Sequence, residues 1–161
     1  MLLFSETLGL CLLFWLLCWL STGSDEKNIK SYRSYPDPVQ KMLREKEALR
    51  GKIPKSSPLQ VFFSNVILFS VILFLLGLPL VKPSFLENFL NILIMGQVLN
   101  AFDFFIMDLL WFRRSRRTRF EGTKERDDLY RDPKNHFAAF LRGIPAFIVT
   151  ALIDGWILTL I

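Results

Sequence analysis

At 161 residues, 52% of them hydrophobic, with 16 phenylalanines and a mean hydropathy of +0.33, the chain is too apolar for an ordinary water-soluble domain. Its net charge of +5 comes from two loops: nine Lys/Arg and five Asp/Glu fall in residues 21–58, ten and five in residues 113–142, and everything else holds one Lys and five acids. Such segregation excludes a single soluble core, a disordered chain, a coiled coil and a small disulfide scaffold, and it predicts an all-α, multi-pass membrane protein forming one integral membrane domain over residues 1–161.

A spanning helix needs roughly 20 apolar residues to cross about 30 Å of hydrocarbon. The first stretch that qualifies is residues 1–20, with Glu6 as its one charge. Its length would suit a cleaved signal, but it lacks a basic leading region and carries its Lys/Arg on the far side, so it reads as a retained span. Cys11 and Cys18, seven residues apart, sit about 10 Å apart along the axis and cannot bridge.

The first basic loop, residues 21–58, contains Asp37-Pro38, a capping residue followed by a first-turn proline, and predicts a helix over residues 38–50 with Gly51 as its stop. Val39, Met42, Leu43 and Leu49 give that helix a narrow apolar stripe, suited to a lipid surface or to a solvated connector.

Residues 59–81 carry no charge and predict the second span; a tight turn near Lys82-Pro83-Ser84 leads into the third, residues 86–112. The second basic loop, residues 113–142, opens with Arg113, Arg114, Arg116, Arg117 and Arg119 directly after Trp111-Phe112. Five arginines at a span end suit stop-transfer anchoring and contact with anionic lipid headgroups, at about 1 kcal/mol for each basic residue near the surface. Nucleic acid is not an expected partner, since no recognition motif accompanies the run. Asp132-Pro133 repeats the cap-then-proline device and predicts a short interfacial helix over residues 135–142, with Gly143 and Pro145 bending the chain into a fourth span, residues 143–161. Neither loop is expected to hold a separate soluble domain.

Basic loops remain cytoplasmic, so loops 21–58 and 113–142 belong inside and both termini outside, a four-helix bundle in the plasma (inner) membrane. Trp15, Trp19, Trp111 and Trp156 all fall near predicted span ends, as interfacial aromatic belts require.

Ionisable groups inside hydrocarbon normally face a bundle interior. Measured from Arg113, Asp103 sits about 15 Å deep and Asn100 about 20 Å; measured from Arg142, Asp154 sits about 18 Å deep, and Ser70 lies about 17 Å from Leu59. With about 100° per residue, Gln97, Asn100, Asp103 and Asp108 share an arc of about 140°. Thr150 and Asp154 lie on a small-residue ridge of the fourth span, and Asp108 is placed to pair with Arg142. Ser70, Gln97, Asn100, Asp103, Asp108, Thr150 and Asp154 therefore predict a polar seam.

The seam supports three functional readings. In the first it fastens the helices of a non-enzymatic accessory, regulatory or oligomeric subunit, whose partner is another membrane protein or a second copy. In the second, Asp103 and Asp154 serve a small proton- or ion-coupled transporter, although no broken-helix repeat accompanies them. The third is a membrane enzyme acting on lipid headgroups, with Asp103, Asp108 or His136 as base and the arginine run as phosphate clamp. No catalytic motif, cofactor loop or metal-ligand cluster is present in the sequence, and His136 reads as a capping or headgroup-level residue.

Overall fold

The computed structural model describes residues Met1–Ile161. It is all-helical, without strands, and four of its helical stretches are long and apolar enough to cross a membrane: Leu2–Leu20, Pro58–Leu80, Phe85–Phe112 and Asp127–Thr159. In chain order the elements are α1 (Leu2–Leu20), the single turn α2 (Asp25–Asn28) with a 3-10 segment Ile29–Ser34, α3 (Asp37–Glu45), α4 (Glu47–Arg50), α5 (Pro58–Gly77), α6 (Phe85–Phe102), a π-helical segment Asp103–Phe112, and α7 (Lys134–Thr159). They form two compact units, Met1–Leu12 with Ser56–Phe102 and Phe140–Ile161, and Leu13–Lys55 with Asp103–Ala139.

The first unit is built from apolar helices. The start of α5 is set by a capping box: Ser57 Oγ accepts from the Gln60 amide at 3.1 Å while Gln60 Oε1 accepts from the Ser57 amide at 2.7 Å, and Pro58 fills the first turn. Between α5 and α6 the chain passes through a 3-10 segment, Leu78–Leu80, which lies within the span expected over residues 59–81 and ahead of the turn expected near Lys82-Pro83-Ser84. The core holds Leu73, Ile92, Met95, Leu99, Ala151 and Leu158, with the Phe69 and Phe147 rings at 4.9 Å. Outside it, Ile67, Leu68, Val71, Leu75, Ile94, Val98, Leu152, Ile153 and Trp156 are exposed. Apolar surface on this scale is stable against hydrocarbon, not water.

Glycines let these helices approach. A Cβ on Gly155 would stand 2.8 Å from the Cα of Phe89, and one on Gly77 would stand 2.8 Å from Ile92 Cδ1 and 2.9 Å from Leu158 Cδ1. Small residues at such crossings bring backbones together, which supplies the dispersion contacts that hold helices in lipid.

The second unit has a core of a different composition. Ile29, Tyr32, Tyr35, Val39, Leu43, Leu49, Phe112, Phe120 and Tyr130 pack together, so both basic loops contribute to one hydrophobic cluster. Tyr35 is at its centre, fully buried, with its ring 5.0 Å from Phe112, 5.0 Å from Phe120 and 6.1 Å edge-on to Tyr130. Its hydroxyl donates to the Thr118 carbonyl at 2.6 Å, and its own carbonyl accepts from Gln40 Nε2 at 2.8 Å and Asn135 Nδ2 at 2.6 Å. Burial holds the Tyr35 phenol far above its ordinary pKa, so it remains a neutral donor.

The first-loop helix differs from expectation in its cap, its length and what it packs against: Asp37 is its first residue, after Pro36, and no side chain caps it. It breaks at Lys46, whose backbone is extended (φ −78°, ψ 106°), and resumes as the single turn α4. Val39 and Leu43 are fully buried among the aromatic side chains of the second loop, so the narrow stripe serves a protein core instead of a lipid surface or open solvent. The helix expected over residues 135–142 is the opening of α7, which runs unbroken through Gly143 and Pro145; Asp132 Oδ1 accepts from the Lys134 amide at 2.9 Å, as its capping role requires.

Candidate functional site

Within the first unit, the side chains of α6 reach the backbone of α7 around its proline. Pro145 has no amide hydrogen, so the carbonyl one turn earlier loses its helical donor. On either side of that gap, Asn100 Nδ2 donates to the Phe140 carbonyl at 3.1 Å and Gln97 Nε2 donates to the Ile144 carbonyl at 3.0 Å. Gly143 makes the approach possible, because a Cβ there would collide with the Asn100 amide. These contacts account for two seam residues as cross-helix hydrogen bonds to main chain.

Ser70, Thr150 and Asp154 form a second polar group in the same unit. Thr150 and Asp154 are almost fully buried, and Ser70 is the polar neighbour of Asp154. Ser70 Oγ, Thr150 Oγ1 and Asp154 Oδ2 nevertheless lack hydrogen-bond partners. Asn88 was not singled out by the sequence. Buried on α6, it accepts from the Lys82 amide at 2.8 Å and donates to the Lys82 carbonyl at 2.9 Å and to Thr159 Oγ1 at 3.1 Å. Its signal was an asparagine in an apolar helix within one turn of a Pro-containing bend.

Asp103 and Asp108 belong to the second unit and Asp154 to the first. The π-helical winding of Asp103–Phe112 changes their expected azimuth: hydrogen bonds there run between residues five apart, so Asp103 and Asp108 stack along one face instead of lying on opposite edges of a wide arc. Cys18 lies within electrostatic reach of both carboxyls. Asp108 pairs with His136, Oδ1 to Nδ1 at 2.7 Å, where the sequence suggested Arg142. His136 is 2% exposed, with its ring centroid 4.8 Å from that of Phe112 in an edge-on arrangement, so it is a packed partner of Asp108 and not an exposed cap. Cys11 and Cys18 are unbridged.

The arginine run divides into three tasks. Arg117 stacks 4.2 Å over the Trp19 ring and donates from Nε to the Trp19 carbonyl at 3.1 Å, covering Gly23, whose φ of 109° only glycine adopts readily. Arg119 is folded inward: it donates to the Lys124 carbonyl at 2.6 Å and the Arg113 carbonyl at 3.3 Å, pairs with Asp127, and lies 5.3 Å from the Tyr130 ring. Arg113, Arg114 and Arg116, together with Arg119, line a cavity of about 460 Å³ that Leu109, Glu125, Asp127 and Arg131 complete. Arg131 was not expected to join the run; eleven intervening residues separate it from Arg119, and only the folding of the second loop brings it there. Comparison with known protein families, characterised proteins and solved structures finds no match.

Proposed function

We propose that the protein is a non-enzymatic membrane subunit of the accessory or oligomeric kind, held in the plasma membrane with both termini outside and residues 21–58 and 113–142 in the cytoplasm. Its seam fastens helices. The observation that carries this reading is the docking of Gln97 and Asn100 onto α7 carbonyls through the gap left by Gly143. Those side chains are committed to main chain and are not presented to a pathway. The aromatic core shared by both basic loops supports placing them on one side of the bilayer, where the excess of Lys and Arg assigns them to the cytoplasm.

Replacing Asn100 and Gln97 by leucine together removes two cross-helix bonds, each worth about 0.6–2 kcal/mol. The expected result is a clearly lower thermal midpoint in detergent, with Asp103→Asn and Asp154→Asn close to wild type. An unchanged midpoint in the leucine variant would remove the fastening role.

One observation favours ion handling instead: Asp154 Oδ2 and Thr150 Oγ1 are buried without partners, a costly arrangement that a bound proton or cation would relieve. Under that reading, wild-type proteoliposomes show a cation or proton flux that Asp154→Asn abolishes. Under the fastening reading neither protein shows one.

A further inference from the structure

The arginine-lined cavity of the second unit has a composition that anchoring alone does not explain. Arginines that merely stop a span spread outward and extend toward water and headgroups. Here five of them, from three stretches of chain, converge on one space of about 460 Å³: Arg113 and Arg114 after the π-helical segment, Arg116 and Arg119 around the next short turn, and Arg131 beyond Tyr130. Bringing like charges together is unfavourable unless something negative joins them. Two carboxylates do so in part. Glu125 pairs with Arg116 at 2.8 Å and Asp127 pairs with Arg119, while Arg113, Arg114 and Arg131 have no carboxylate partner.

Five guanidinium groups against two carboxylates leave an excess of three positive charges around the cavity. Part of the donor set is also idle. Arg119 is 5% exposed, and its Nε, like the buried Nε of Arg113, has no hydrogen-bond partner. A planar fork with unused donors in partial burial is the group best suited to a phosphate oxygen. We infer that this cavity is a binding site for a multiply charged phosphate, a phosphomonoester or diphosphate group.

A phosphomonoester carries about two negative charges at neutral pH, whereas a phosphodiester carries one, so the charge excess selects the former. The volume falls within the range of about 300–1,000 Å³ typical of small-molecule sites, enough for the phosphate and the group that bears it. Leu109, from the helix long enough to span the membrane, supplies an apolar patch of the lining, which suits a phosphate borne by a lipid; a free phosphate compound offers the same chemistry.

The test uses the full chain in phosphatidylcholine nanodiscs. Pyrophosphate is titrated in one arm; in the other, part of the phosphatidylcholine is replaced by phosphatidic acid, a phosphomonoester, or by an equal fraction of phosphatidylglycerol, a phosphodiester. The thermal midpoint is read in both arms. A saturable rise with phosphatidic acid or with pyrophosphate, exceeding that with phosphatidylglycerol, is expected; phosphatidic acid alone identifies a headgroup, and pyrophosphate alone identifies a free ligand.

Arg114→Gln with Arg131→Gln alters two exposed side chains without ion pairs and should weaken the response about tenfold for each charge-assisted hydrogen bond removed. Arg126→Gln, outside the cavity and paired with Asp128, should leave the response unchanged. A rise with phosphatidylglycerol as large as that with phosphatidic acid, absence of any response in both arms, or a response that survives the double substitution would each overturn the assignment.

Discussion

Tyr35→Ala should unfold the second unit's aromatic core, at a cost of about 3–5 kcal/mol, the range for deleting a large buried ring. The ring touches Phe112, Phe120 and Tyr130, and its hydroxyl satisfies the buried Thr118 carbonyl at 2.6 Å. No neighbour is placed to replace either role, because Val39 and Leu43 are themselves fully buried against the same cluster. Tyr35→Phe separates the two contributions: it keeps the ring and strands the carbonyl, at about 1–3 kcal/mol. Limited trypsin digestion checks this, since the second loop is rich in Arg and Lys. Rapid cleavage between Arg113 and Arg131 is expected in Tyr35→Ala and slower cleavage in Tyr35→Phe. Wild-type resistance in both would mean that the loops do not depend on this core.

The second large effect is expected at Gly155. A methyl group there would stand 2.8 Å from Phe89 Cα and 2.9 Å from Phe89 N, atoms of a helical backbone that cannot rotate away. Overpacking of this kind costs about 1–3 kcal/mol for a single methyl, and a larger side chain must push α6 and α7 apart. Gly155→Ala should therefore lower the thermal midpoint in detergent, and Gly155→Leu should lower it much further. Gly9 is the internal control, since a Cβ there meets nothing within 4 Å, and Gly9→Ala should melt like wild type. Equal midpoints for Gly155→Leu and Gly9→Ala would show that the close crossing is absent.

The four apolar stretches were legible because lipid imposes a length and a composition, and both can be counted in the sequence. Although the fourth span, read from residue 143, belongs to a helix that begins at Lys134, the starts read at residues 1, 59 and 86 were legible to within one residue, at Leu2, Pro58 and Phe85. The continuity of α7 was not. Gly143 and Pro145 read as a bend, yet Asn100 and Gln97 donate to the Phe140 and Ile144 carbonyls in the turn before the proline, and a helix in lipid tolerates proline where neighbouring side chains help satisfy its backbone.

Nor was the π-helical winding of residues 103–112 visible, since a segment with only Asp103 and Asp108 among apolar residues has too little periodicity to betray a change of pitch. That winding is why the expected arc misplaced Asp108, which pairs with a buried His136. The arginines were legible as a cluster and not as individuals. Whether each faces headgroups depends on partners distant in sequence: Trp19 takes Arg117, Asp127 takes Arg119, and Arg131 arrives by the fold of its loop.

Every functional reading above requires that hydrocarbon bathe the four apolar helices and that the two basic loops share one side of the membrane. Labelling by a membrane-impermeant maleimide measures this directly, in inside-out and right-side-out vesicles of a variant lacking Cys11 and Cys18. With Ser56→Cys in the first loop, Glu121→Cys in the second and Ser84→Cys before α6, introduced one at a time, the first two should react only from the cytoplasmic side and the third only from the opposite side. Reaction of Ser56→Cys and Glu121→Cys from different sides, or of Ser84→Cys from the same side as both, would contradict the arrangement.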